Sequence, residues 1–194
     1  MVIGAGFNLD SYGGIVRLTR RVLFGTLLFE GIGAALLSVR FVGEFGLLRG
    51  IGMGIFHAVS AFCNGGFDLM GTPDDPFCSL VGYAGDPLVS LTIMALIVIG
   101  GLGFFVWSDV WDKHSFCRLR LHTKIVLTAT AGLLLFGFGW TLLFEWSNPA
   151  TLGGMTLPHK LLAAAFQSVT LRTAGFNTID ESALTGPSQA LACM

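Results

Sequence analysis

The sequence predicts an all-α polytopic membrane protein built from repeated units, each an outer helix, a short re-entrant helix with its loop, and an inner helix. Three observations carry that prediction. Of the 194 residues, 53% are hydrophobic and only 12% charged, whereas soluble domains run at about 25% charged. Three apolar stretches reach the roughly 20 residues that an α-helix needs to cross about 30 Å of hydrocarbon. Two further apolar runs are too short to cross and resemble each other.

In chain order, residues 1–21 read as a cytoplasmic N-terminal segment. Its first 11 residues carry no Lys or Arg, so insertion is assigned to the spans and not to a basic-headed leader. Span one covers 22–42, and the first short run covers 51–63. Span two covers 87–107, a basic loop follows at 112–124, and span three covers 125–144; neither of these two spans contains a charge. The second short run is 161–171.

Arg17, Arg20 and Arg21 precede span one, and Lys113, Arg118, Arg120 and Lys124 fill the loop between spans two and three. Basic connections stay in the cytoplasm, so both lie inside. The segment 44–86 sets Arg49 against Glu44, Asp68, Asp74, Asp75 and Asp86, and the region after span three holds Glu145, Asp180 and Glu181, so both face outward. Each short run must therefore enter from the outside and return there. The chain divides into a complete helix–dip–helix unit at 22–111 and a second unit at 125–194, read as truncated before its inner helix.

The two dips are copies of each other. Phe56-His57-Ala58-Val59-Ser60 resembles Phe166-Gln167-Ser168-Val169-Thr170, and Asn64-Gly65-Gly66-Phe67-Asp68 resembles Thr173-Ala174-Gly175-Phe176-Asn177, with spacings that differ by a single residue. Non-helical backbone at membrane depth survives only inside protein or along a water-filled path, because each unpaired polar group costs several kcal/mol. A short helix followed by a small-residue loop therefore predicts a pore helix and a filter loop whose carbonyls replace the hydration shell of a cation. Asn64, Gly65, Gly66, Thr173, Ala174 and Gly175 are the candidate ion-selectivity filter residues. The helix ends near Cys63 and Leu171 would aim their partial negative charge at the ion. Gly175 is expected to tolerate a side chain least.

The string from Ser60 to Phe67 and the string from Gln167 to Thr178 resemble the second and third filter segments of the Trk/Ktr/HKT potassium transporters, with the bacterial Ktr-type membrane subunits as the nearest match. The resemblance runs from about Ile15 onward and includes Leu121-His122-Thr123-Lys124. In that family four such units in one chain surround a single pathway, with one filter glycine per unit, and Gly66 and Gly175 match those glycines. It implies uptake of K+, with Na+ as a second cargo, across the cell membrane, held by filter carbonyls and needing no other cofactor. It also implies a homodimer resting on a cytosolic nucleotide-binding regulatory subunit, with the basic loop 112–124 as the docking candidate and attraction of that loop to anionic lipid as the alternative. The first and fourth units and the gating part of the third inner helix have no counterpart here, so the chain reads as partial, and a non-conducting fragment is the alternative.

Other readings are weaker. The formal net charge of −1, without a basic stripe, argues against a nucleic-acid partner. Cys63, Cys78, Cys117 and Cys193 show neither a C-x-x-C pair nor a disulfide framework. An embedded enzyme would have to draw on Glu30, His57, Asp109 and His122, which the span assignments scatter over different depths. Glu30, mid-span, is expected to hydrogen-bond a pore helix, with a direct part in ion passage as the alternative; His57 to be a structural hydrogen-bonder, with pH sensing as the alternative; and Arg172 to tie its loop to a carboxylate, with ordering of cations at the pore as the alternative. Phe67 and Phe176 are read as packing behind the filter. Gly100, Gly101 and Gly103, and likewise Gly132, Gly137 and Gly139, are read as helix-packing glycines, with Gly137 away from the filter.

Overall fold

The computed structural model describes residues 12–72 and 78–193. Asp74 and Asp75, two of the acids behind the outward reading of 44–86, lie outside the described residues, as do residues 1–11 of the N-terminal segment. Among the described residues there are α-helices and 3-10 turns and no strands. Among the described residues two helices are long and apolar enough to cross a membrane, and a bent pair of helices meets the same test when taken together. The protein is an all-α multi-pass membrane protein.

Helix α1, Tyr12–Phe45, is 34 residues long, so span one carries its three arginines on a helical extension and not on a separate segment. Gly46, at φ 80°, reverses the chain into α2, Leu47–Phe62. α2 starts earlier than the predicted short run, because the outer part of the helix packs on α1. A Cβ on Gly50 would lie 2.5 Å from Val42 N, and one on Gly54 would lie 2.9 Å from Ser38 N, so these two small residues, four apart, let the backbones approach.

Helix α3, Pro87–Leu102, starts with Pro87 in its first turn and is capped by Asp86, whose carboxylate accepts from Leu88 N (3.0 Å) and Val89 N (3.3 Å). Asp86 also receives Arg40 Nε at 2.7 Å, while Tyr83 Oη donates to Glu44 at 2.8 Å, joining the outer ends of α1 and α3. The Tyr83 phenol is held above its ordinary pKa, first by burial and then by donation to that carboxylate.

Span two is not one straight helix. Gly103, at φ 83°, breaks it, and α4, Phe104–Lys113, leaves at 92° to α3. Apolar composition does not reveal such a turn, because the residues on both sides of it, Leu102 and Phe104 to Trp107, are all apolar. Arg21 and Asp112 meet at 3.6 Å, so the foot of α1 and the end of α4 lie at the same end of the molecule, as the charge asymmetry requires.

Within α4, Asp109 collects Lys113 Nζ at 2.9 Å, and it also accepts from the Arg120 N–H of the following loop at 2.7 Å. Helix α5, Leu121–Glu145, is span three, α6, Leu157–Thr170, is the second short helix, and α7, Gly186–Ala192, follows. The two units share one core, in which Leu37, Phe41, Ile93 and Ile97 from the first meet Phe166, Val169 and Phe176 from the second.

Candidate functional site

Both short helices run deep and return. A Cβ on Gly100 would fall 2.9 Å from Phe62 C, so the end of α2 sits against the far end of α3, about 20 Å along that helix from its outer cap. The end of α6 reaches Thr130 of α5, whose Oγ1 accepts from Arg172 Nη2 at 3.3 Å. Beyond the helices two irregular segments meet: Leu80 N donates to Asn177 O at 2.9 Å and Asn177 N to Ser79 Oγ at 3.2 Å.

The turns at the bottom repeat each other in backbone conformation. Asn64 and Thr173 have φ of 53° and 67°, and Gly66 and Gly175 have φ of 68° and 80°, while Gly65 and Ala174 between them stay out of the positive region. Positive φ at a Cβ-bearing residue costs roughly 1–3 kcal/mol, so Asn64 and Thr173 need fixing from outside. Asn64 is fixed by its own amide, which, oriented to hydrogen-bond, donates to Ala61 O (3.2 Å) and Ile97 O (3.3 Å).

A hydroxyl on each short helix spans the turn. Ser60 Oγ donates to Phe67 O at 2.8 Å, and Thr170 Oγ1 donates to Phe176 O at 2.6 Å. The sequence comparison paired these two residues without assigning them a role; that both repeats carry a hydroxyl at this register was the available signal.

The six candidate residues fall into two adjoining groups. A Cβ on Gly66 would lie 2.8 Å from Gly175 Cα and closer still to Ala174 O, and one on Gly175 would lie 3.2 Å from Gly66 Cα. Two backbone strands so close leave no room for side chains between them. Among the described residues, no protein donor reaches the carbonyls of Asn64, Gly65, Gly66, Thr173, Ala174 or Gly175.

His57 is a structural hydrogen-bonder. Its Nδ1 donates to Met53 O (2.7 Å) and its Nε2 accepts from Leu69 N (3.3 Å), which assigns one neutral tautomer and pins the returning strand to α2. At the matching register of the second unit, Gln167 is buried with both amide atoms unpartnered among the described residues, as is the Thr178 hydroxyl. The repeat preserves the position without preserving the bond.

Four expectations need correction. Arg172 is tied to a hydroxyl of α5 and not to a carboxylate, because the span beside it carries none. Glu30 makes no hydrogen bond among the described residues: α2 lies against the α1 face carrying Ala34 and Ser38, and its backbone donors are used within its own helix. Phe176 is buried, but Phe67 is 71% exposed, since no described element covers that side of the first turn. Gly137 is not remote from the site; a Cβ there would fall 2.6 Å from Ser168 Oγ on α6, whereas Gly132 and Gly139 face open space.

Glu145 was read from sequence only as an outward-facing acid. It is fully buried; Thr185 N (2.9 Å), Thr185 Oγ1 (2.6 Å), Asn148 Nδ2 (2.7 Å) and Thr151 Oγ1 (2.7 Å) all donate to it, locking the outer end of α5 to the segment after the second turn. The four groups considered for an embedded enzyme form no cluster: His57 and Asp109 are spent on structural contacts, and His122 is exposed.

Comparison with known proteins identifies the family. A family profile described as a cation transport protein, TrkH, matches residues 10–191. The chain is 40% identical over 180 residues to Ktr system potassium uptake protein B of Bacillus subtilis (strain 168), covering 93% of this chain and 39% of that protein. It is 41% identical over 180 residues to potassium/sodium uptake protein NtpJ of Enterococcus hirae, covering 93% of this chain and 38% of that protein. Over 174 residues it is 42% identical to Ktr system potassium uptake protein B of Vibrio alginolyticus, covering 89% and 37%. The chain thus spans about two fifths of the length of these relatives. By sequence and by architecture, it belongs to the TrkH family of cation transport proteins.

Proposed function

We propose that the chain supplies two adjacent filter segments of a K+ uptake pathway in the plasma membrane, with Na+ as a second cargo. The observation that carries this reading is the set of six carbonyls, on Asn64, Gly65, Gly66, Thr173, Ala174 and Gly175, that no donor among the described residues satisfies. Unpaired carbonyls at membrane depth are costly unless water or a cation meets them. The alternating sign of φ supports the same reading, and so do the carbonyl-bearing ends of α2 and α6, which reach the same place.

Two segments cover part of a coordination shell, so conduction requires further segments of the same kind. No cofactor beyond the transported ion is called for. The names of the relatives include a Ktr system, and on that basis the basic loop 112–124 is the docking candidate for a cytosolic nucleotide-binding subunit beneath a homodimer.

The test is substitution at the two glycines after transfer of both segments into a four-unit transporter. Gly66→Ala should abolish K+-limited growth of a transport-deficient host, and Gly175→Ala should lower Rb+ over Na+ uptake while leaving insertion unchanged. This order reverses the one expected from sequence, because a Cβ on Gly66 meets rigid backbone more closely. Unchanged Rb+/Na+ discrimination in both variants would refute the reading.

A further inference from the structure

The bend at Gly103 has a second result: it lays α4 beside the foot of α1 and leaves a half-open groove of about 540 Å³ between them, well within the roughly 300–1,000 Å³ of small-molecule sites. Its walls are largely carbon, from Gly25, Leu28, Phe29, Phe104, Trp107 and Trp111. The Trp107 indole N–H is used on Ile99 O at 2.9 Å, so that ring offers the cavity its apolar surface. Trp111 is 72% exposed, at the level where tryptophan anchors a protein in the headgroup region.

The mouth of the cavity carries Arg20, Arg21 and Asp112. Arg21 and Asp112 pair with each other at 3.6 Å with both side chains more than half exposed. Arg20 is exposed and has no ion-pair partner among the described residues. The opening therefore keeps an excess positive charge directly above an apolar groove, at the basic, inward end of the span.

We propose that this groove is a binding site for an anionic phospholipid of the inner leaflet, with an acyl chain between Gly25 and Trp107 and the phosphate at Arg20 and Arg21. Charge complementarity selects the headgroup: a zwitterionic lipid would bring its own cation to two arginines, whereas phosphatidylglycerol brings only the anion. A soluble anion would leave the carbon walls unfilled. The groove backs onto the end of α2, where the Phe62 and Trp107 rings meet with centroids 5.5 Å apart, but its occupant is read by lipid retention and not by ion uptake.

The test is native mass spectrometry of the protein released from nanodiscs of mixed phosphatidylglycerol and phosphatidylcholine. The unmodified chain should retain phosphatidylglycerol preferentially. Arg20→Gln with Arg21→Gln should lower that retention about fivefold or more. Gly25→Leu leaves every charge in place and fills the groove, since a Cβ at Gly25 already sits 3.6 Å from the Trp107 ring; it should displace the lipid too. Arg118→Gln, in the basic loop away from the groove, should retain it.

Equal retention of both lipids, or an Arg118→Gln loss matching that of the arginine pair, would mean diffuse attraction and overturn the proposal. Full retention in Gly25→Leu would show that the acyl chain lies elsewhere. A longer protein that retains no phospholipid, with another of its own segments in the groove, would overturn it as well.

Discussion

Thr170 Oγ1 donates to the carbonyl of Phe176 at 2.6 Å, closing the turn that holds Thr173, Ala174 and Gly175. Ser60 closes the first turn on Phe67 in the same way. Both bonds join the last turn of a short helix to the residue just beyond the filter glycine, so the loop is braced by its own helix and not by solvent.

Thr170→Val should therefore loosen the second turn with almost no change in volume. Losing one partly compensated hydrogen bond costs about 1–3 kcal/mol where the acceptor stays buried. The expected outcome in a four-unit transporter is normal insertion with reduced Rb+/Na+ discrimination. Thr170→Ser, which restores the hydroxyl, should recover most of it, and a variant indistinguishable from the parent would show that the brace is dispensable.

Gly137→Ser is expected to disturb the packing of α5 on α6, because its added atoms meet Ser168, whose hydroxyl already donates to Leu134 O at 2.7 Å. Overpacking of this kind costs about 1–3 kcal/mol. Thermal unfolding in detergent should show a lower midpoint for Gly137→Ser and none for Gly132→Ser, whose Cβ points into open space. Equal midpoints for the two would contradict the packing described.

Glu145→Ala leaves four donors facing a space they were arranged around. A buried neutral donor left without its acceptor costs about 1–3 kcal/mol. Limited proteolysis should open the segment around Thr185 in Glu145→Ala before the helices are cut. Protection equal to the parent would mean that the segment is held by other contacts.

Single cysteines at Ser115 and Gly154, introduced without the native four, should react with an impermeant thiol reagent from opposite sides of the membrane. Ser115 follows α4 at the basic end, and Gly154 lies in the exposed turn between α5 and α6. Labelling of both from one side would invalidate the orientation and the two dips with it.

The sequence by itself determined the class, and it carries the reading of orientation and of the duplicated dip, because these depend on quantities that are additive along the chain. Apolar length sets what can cross, basic residues set which end stays inside, and a repeat shows as similarity at fixed spacing. The same reasoning located all six filter candidates, since small residues after a short apolar run need no knowledge of their neighbours. Tertiary structure decided everything that depends on which residues meet across long separations. Only the fold brings Gly66 to Gly175, gives Glu145 its four donors, and places Gly137 against Ser168. The 92° turn at Gly103 belongs to the same group. A glycine permits positive φ without requiring it, and whether the chain bends there is settled by the packing on either side.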